Sequence, residues 1–228
     1  MSESEEQKNC TLVDCSVAMP FEPYYDEGGI TIYNADCRQV LPFLRRFDLL
    51  LTDPPYGINA SSGIGKYGRI KWTEGDKKWD TATPPAWLLD AMLEAADKHI
   101  VWGGNYYGLP PSRQYLIWDK GAGFKGRDFA ECEQAWCSWD GNAKVYLRDP
   151  LASGDYRDKV HPTQKPSGLF KQIIEDMFPK AETIVDPFMG SGSVLLAAKL
   201  EGRKAVGIEI NERYCEAAAK RLSQGVLF

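Results

Sequence analysis

Two short segments hold residues whose types and spacing fit chemistry. The first is Asp53-Pro54-Pro55-Tyr56-Gly57, which follows the continuous apolar run FDLLLT (47–52). A carboxylate, a carbonyl held by a rigid ring and an aromatic face stand side by side there. That set suits an exocyclic amine on a flat ring, whose lone pair is delocalised and poorly nucleophilic. Hydrogen bonds from the amine N–H groups to Asp53 and to the Pro54 carbonyl favour a pyramidal nitrogen and localise that pair. Tyr56 stacks on the ring and keeps it in line with an electrophile. Two prolines end a strand by themselves, but strand termination gives no reason for the flanking Asp, Tyr and Gly.

The second segment is Asp186-Pro187-Phe188-Met189-Gly190-Ser191-Gly192, between TIV and SVLLAAK. Gly190 and Gly192 let backbone approach a ligand at the start of a helix. The spacing matches neither the pyrophosphate nor the triphosphate glycine motif. Asp186 at a strand end repels phosphate and suits a cationic head group. Glu209 ends the next strand, GIEI, where an acid accepts hydrogen bonds from ribose hydroxyls. The alternative is a glycine turn that only lets a helix pack on the sheet.

Elements must place these residues. The run 47–52 has the pattern of a strand buried on both faces, so Asp53 and Tyr56 belong to a loop at its carboxyl end. Further strands are expected at 30–33, 99–102, 114–118, 129–139, 143–147, 183–186 and 204–210. Helices are expected at 37–47, broken near Pro42, and from a Thr83 cap with Pro84 in its first turn through 98. Three more fall at 166–178, with Pro166 at its start, at 193–202 and at 211–222, with Asn211 as cap. Alternating strands and helices imply an α/β domain with a mostly parallel sheet and helices on both faces. Residues 1–28 read as a polar tail and 58–80 as a long mobile loop rich in Gly, Ser and Lys.

Length and composition agree with this. The chain has 228 residues with 43% hydrophobic and 26% charged, enough for one well-filled domain and unlike disordered, collagenous or coiled-coil chains. No apolar run approaches membrane-spanning length and no export signal is legible, so a cytoplasmic protein is expected. The net charge of −5 is concentrated in residues 1–50, which hold nine acids and four bases; the remainder is balanced. That balance disfavours indiscriminate polyanion binding while leaving room for a local basic groove. Six cysteines include the pairs Cys10/Cys15 and Cys132/Cys137, but no C-x-x-C, so reduced thiols are expected and no metal site.

DPPYG (53–57), HPTQKP (161–166), DPFMGSG (186–192) and GIEI (207–210) together resemble the motifs of S-adenosylmethionine-dependent DNA amino-methyltransferases. The catalytic loop precedes the cofactor loop, as in the β group, a circular permutation of the common seven-stranded-type methyltransferase sheet. The stretch 103–120 is similar to small phage and prophage members, and the resemblance spans about residues 30–222. It implies catalytic roles for Asp53, Pro54, Pro55 and Tyr56. It implies S-adenosylmethionine contacts for Asp36, Asp53, Asp186, Phe188, Gly190, Ser191, Gly192 and Glu209, with Asp36 near the adenine. His161, Thr163 and Lys165 hold the methionine end, Lys165 as carboxylate partner.

The substrate so implied is double-stranded DNA with the target base flipped out of the stack. Lys66, Arg69, Lys71, Lys77 and Lys78 are the candidate phosphate contacts, and Tyr67, Trp72, Trp79, Tyr106 and Tyr107 are candidates to hold the base or fill its gap. Asp in the first motif position leans toward adenine N6 over cytosine N4, by the same chemistry. The absence of Pro-Cys disfavours cytosine-C5 enzymes, Asp53 disfavours protein-glutamine methylation, and the missing third glycine disfavours a nicotinamide enzyme. A non-catalytic DNA- or cofactor-binding module is the rival from another class, and intact DPPY and DPFMGSG oppose it. Larger members carry a target-recognition domain where this chain has only 119–160. β-group relatives are often dimers, which suggests a homodimer. The ending QGVLF (224–228) resembles the peptide that docks on bacterial sliding clamps.

Overall fold

The computed structural model describes residues 12, 18–59, 80–127, 130–156, 160 and 164–224. In chain order the strands are β1 (Tyr25–Glu27), β2 (Ile30–Asn34), β3 (Phe47–Thr52), β4 (Ala96–Trp102), β5 (Tyr115–Asp119), β6 (Cys132–Cys137), β7 (Lys144–Leu147), β8 (Thr183–Asp186) and β9 (Lys204–Glu209). The helices are α1 (Cys37–Val40), α2 (Ala86–Glu94), α3 (Ser167–Met177), α4 (Ser193–Leu200) and α5 (Glu212–Ser223).

These nine strands form one sheet in the order β1-β2-β9-β8-β3-β4-β6-β5-β7. Its centre, β2 through β4, is wholly parallel. At one side β6 inserts antiparallel between β4 and β5, and β7 runs parallel to β5. Burial on both faces explains the unbroken apolar run of β3: Leu49, Leu50 and Leu51 are all fully buried. Leu49 and Leu51 point with Ile100 and Trp102 into the core that α3, α4 and α5 cover. Leu50 and Val101 point the other way, under α1 and α2. Each such leucine contributes roughly 1.5–3 kcal/mol by leaving water.

Direction of travel reverses between β8 and β3. From β8 the chain passes to β9 on one side, and from β3 to β4 on the other. Ligands of open α/β sheets bind at such a switch point, beyond the carboxyl ends of the strands. Asp53 and Asp186 follow or end these two strands, and the Thr52 hydroxyl donates to Asp186 Oδ1 across the gap at 2.7 Å. The switch point is therefore where both motifs meet.

Several bounds are corrected, while the mostly parallel α/β sheet with helices on both faces is as expected. It has nine strands. One of them, β1, lies within the supposed 1–28 tail and pairs antiparallel with β2. Helix α2 starts at Ala86 with Pro85, not Thr83, as its cap, and ends at Glu94. Ala96, Asp97 and Lys98 leave the helical pattern for β4, because Ala96 and Lys98 pair in register with Phe47 and Leu49 of β3. The helix expected at 37–47 is a four-residue α1 followed by a 3-10 turn at Leu41–Phe43 around Pro42. Segment 119–160 contributes β6 and β7, shorter than the strands expected at 129–139 and 143–147. The Asn211 cap of α5 is present, its side chain accepting from the Arg213 N–H at 3.1 Å. Cys132 and Cys137 lie five residues apart on β6, so they face opposite sides of the sheet and cannot share a metal. Among the described residues no helix is long and apolar enough to cross a membrane.

Candidate active site

A cavity of about 640 Å³ opens at the switch point. Of the residues expected to hold a cofactor, Asp36, Asp53, Lys165, Asp186, Phe188, Gly190, Ser191 and Glu209 line it. His161 and Thr163 lie outside the described residues. Gly192 does not line the cavity. It caps α4 at φ +74°, and a Cβ there would meet the Cβ of Ala218 at 2.8 Å, so its role is to seat α4 against α5.

The acids of this cavity differ in how they are held. Glu209 accepts backbone N–H groups from Gly190 (3.1 Å, Oε2) and Asn211 (2.7 Å, Oε1), so the turn carrying the glycines is tied to the end of β9. Each carboxylate oxygen keeps acceptor capacity for a hydroxyl. Asp186 is 3% exposed, and burial lifts its pKa to about 7 against the opposing hydrogen bonds from Thr52 and Phe188 N–H. Asp36 is engaged by Arg38 through Nε at 2.9 and 2.8 Å and caps α1, accepting from the Arg38 backbone N–H at 3.0 Å. Arg38, Gln164, Asn211 and Tyr214 also line the cavity, and nothing in their local spacing marks them for it.

The catalytic-loop candidates converge as expected and bring unexpected partners. The Tyr56 hydroxyl donates to Asp53 Oδ1 at 2.6 Å, and Lys165 Nζ pairs with Asp53 Oδ2. The same ammonium reaches Glu133 Oε2 at 3.0 Å, and Glu133 Oε1 pairs with Lys120 Nζ at 2.7 Å. Lys165 is thus bound to two carboxylates of the protein itself, where resemblance had offered it to the methionine carboxylate. Burial would lower the Lys165 pKa, but Asp53 and Glu133 overcome that and raise it. Burial likewise opposes ionisation of Glu133, yet Lys165 and Lys120 hold it down at about 2. Burial raises Asp53 against the pull of Lys165. The Pro54 carbonyl accepts from the Tyr107 hydroxyl at 2.8 Å, and the Pro55 carbonyl from the same group at 3.2 Å. A carbonyl has two lone pairs, so Pro54 retains one.

A second cavity, about 380 Å³, lies on the other side of Asp53. Pro54, Tyr56, Asn105, Tyr106 and Glu133 are among its walls, and Asp53 and Lys165 belong to both cavities. One carboxylate therefore faces a ligand space on each side. The five expected phosphate contacts, Lys66, Arg69, Lys71, Lys77 and Lys78, lie outside the described residues, as do Tyr67, Trp72 and Trp79.

A mostly parallel sheet with an acid-lined cavity at its switch point, joined at a carboxylate to a second cavity with aromatic walls, suits transfer of a group to a flat acceptor. Residues 101–220 match the DNA methylase family (N6_N4_Mtase). The chain is 41% identical over 255 aligned positions to the type II methyltransferase M2.LlaDCHI of Lactococcus lactis subsp. cremoris, covering 91% of this chain and 94% of that protein. It is 25% identical over 268 positions to the type II methyltransferase M.ScaI of Streptomyces caespitosus, covering 88% and 84%. In fold it is similar to the M1.HpyAVI–SAM complex (TM-score 0.56, 20% identity, 85% of this chain and 99% of that one). It is also similar to the cytosine-N4-specific PvuII DNA methyltransferase (TM-score 0.59, 17% identity, 92% of each chain). This chain belongs to the DNA amino-methyltransferases that act on adenine N6 or cytosine N4 with S-adenosylmethionine.

The larger cavity fits that cofactor: buried Asp186 and half-buried Asp53 suit its cationic centres, and Glu209 keeps acceptors for ribose hydroxyls. When bound, it supplies a methyl group activated on a positively charged sulfur.

Proposed function

We propose that this chain methylates the N6 amine of an adenine flipped out of duplex DNA. The observation that carries the reading is Asp53, one carboxylate shared by the cofactor cavity and a second cavity with aromatic walls. The amine donates one N–H to the Asp53 carboxylate and the other to the remaining lone pair of the Pro54 carbonyl, which localises the nitrogen lone pair. Tyr107, by holding the Pro54 and Pro55 carbonyls, fixes the direction of that second acceptor. Tyr56 supplies the stacking face and, through its hydroxyl, fixes Asp53. Attack by the neutral amine leaves a cationic nitrogen that loses a proton readily, so these residues align and polarise, and no strong base is needed beforehand. Asp186 and Glu209 hold the cofactor, and Gly190 lets the backbone come close to it.

Asp rather than Ser at position 53 supports adenine over cytosine within the family resemblance. The PvuII enzyme, named for cytosine N4, has a similar fold, and the same acceptor pair would serve N4. Incubation with S-adenosylmethionine and unmethylated DNA, digestion to nucleosides and mass spectrometry decide the matter. N6-methyladenine is expected, falling at least 10²-fold in Asp53→Ala because an acceptor aimed at the reacting amine is lost. N4-methylcytosine would overturn the choice of base.

A further inference from the structure

The cavity wall beside Asp53 carries an aromatic pair. The rings of Tyr56 and Tyr106 are stacked, with centroids 4.9 Å apart and planes 15° from parallel. Both line the smaller cavity together with Asp53 and Pro54. If that cavity receives the target base, as the function proposed above holds, a phenol is already stacked on Tyr56 there.

A base could meet this pair by slipping between the rings or by replacing one of them. Slipping in requires the centroids to part to about 7 Å, two stacking distances. The backbone opposes that separation. Tyr106 N–H donates to the Gly103 carbonyl at 2.8 Å, and Gly103 N–H to the Gln134 carbonyl of β6 at 2.9 Å. The next residue, Tyr107, is buried and bonded to the Pro54 and Pro55 carbonyls. The turn also sits hard against Tyr56: a Cβ on Gly103 would lie 2.2 Å from the Tyr56 ring. A side-chain rotation faces none of these restraints, since Tyr106 is 43% exposed and, among the described residues, no hydrogen bond holds its ring on Tyr56.

We propose that Tyr106 holds the stacking place of the target base on Tyr56 and swings out when the base enters. Tyr106 then competes with the substrate, and weakening its stack favours base entry. An aromatic pair adds enough to set the competition at roughly two- to tenfold.

Steady-state methylation of duplex DNA by the wild type and by Tyr106→Phe, Tyr106→Ala and Tyr106→Trp tests this. The KM for DNA is expected to fall about two- to tenfold in the Ala variant, stay level in Phe and rise in Trp, with kcat not reduced and S-adenosylmethionine affinity unchanged. A KM that rises in Ala and falls in Trp would mean that the base is clamped between the rings, and a flat series would mean that Tyr106 takes no part. Either overturns the proposal. Should Ala loosen the turn, seen as a lower melting temperature, the Trp variant still gives the deciding sign. Wild-type protein that binds cofactor but methylates no DNA would sink the underlying reading, and this proposal with it.

Discussion

Asp53 has one oxygen on a phenol and the other on an ammonium, and the ammonium is shared with Glu133. An ammonium bound to Asp53 alone would draw the carboxylate's charge toward itself and weaken it as an acceptor for a substrate amine. Glu133 divides that ammonium, and Lys120 balances Glu133, so the four charges sum to zero. Glu133→Gln should therefore do two things. It leaves two buried cations short of a partner, which costs about 1–3 kcal/mol in the urea unfolding free energy, less than outright truncation because the amide still accepts a hydrogen bond. It also lowers kcat for methylation while cofactor affinity holds, since Glu133 does not line the larger cavity. Unchanged kcat in a destabilised variant would reduce Glu133 to a structural role. The sequence makes Asp53, Pro54 and Tyr56 legible because their chemistry is local. Glu133 and Lys120 are not legible that way: an acid on a strand reads as a solvated face until folding brings Lys165, 32 positions away, against it.

At the scale of elements, the cofactor turn depends on how helices seat. Glycine 192 was expected to touch the cofactor because it belongs to a motif that does. Its neighbours in the fold are instead protein: positive φ and the Ala218 methyl leave no room for a side chain. Gly192→Ala should thus act first on stability, by about 1–3 kcal/mol from strain and overpacking, with cofactor affinity lost only as the turn shifts. A thermal melt read beside cofactor titration separates the two, and a stable variant with weak cofactor binding would restore Gly192 to the site. Strands were legible where burial on both faces leaves an unbroken apolar run, as in β3 and β8. The boundary of α2 was not, because Ala95 through Lys98 suit a helix by themselves and yield only to the parallel ladder with β3.

Across the whole molecule, the permuted chain order was legible from motif order alone, since DPPYG precedes DPFMGSG. What no spacing discloses is that both motifs, with Glu209, bring three carboxylates around one cavity, Asp186 buried and Asp53 and Glu209 half-buried. Burial raises all three, and Asp186 reaches about 7. An unfolded Asp titrates near 4, so between about pH 4 and 7 the folded chain holds a proton that the unfolded chain has released. Stability should then fall as pH rises through that window and level off above 7, by at most about 4 kcal/mol for Asp186. A cationic cofactor reverses the preference, because its charge favours ionised Asp186. Binding below pH 7 is expected to release a proton, so the dissociation constant for S-adenosylmethionine tightens up to about tenfold per pH unit toward 7 and then flattens. Titrations from pH 5.5 to 8.5, with calorimetry in buffers of different ionisation enthalpy, measure both the slope and the proton. Asp186→Asn should bind more weakly, lose the slope in affinity and lose the Asp186 share of the pH dependence of unfolding. A wild-type affinity independent of pH would mean either that Asp186 is already ionised in the folded chain or that the cofactor's charge is met by Glu209 or Asp53 instead.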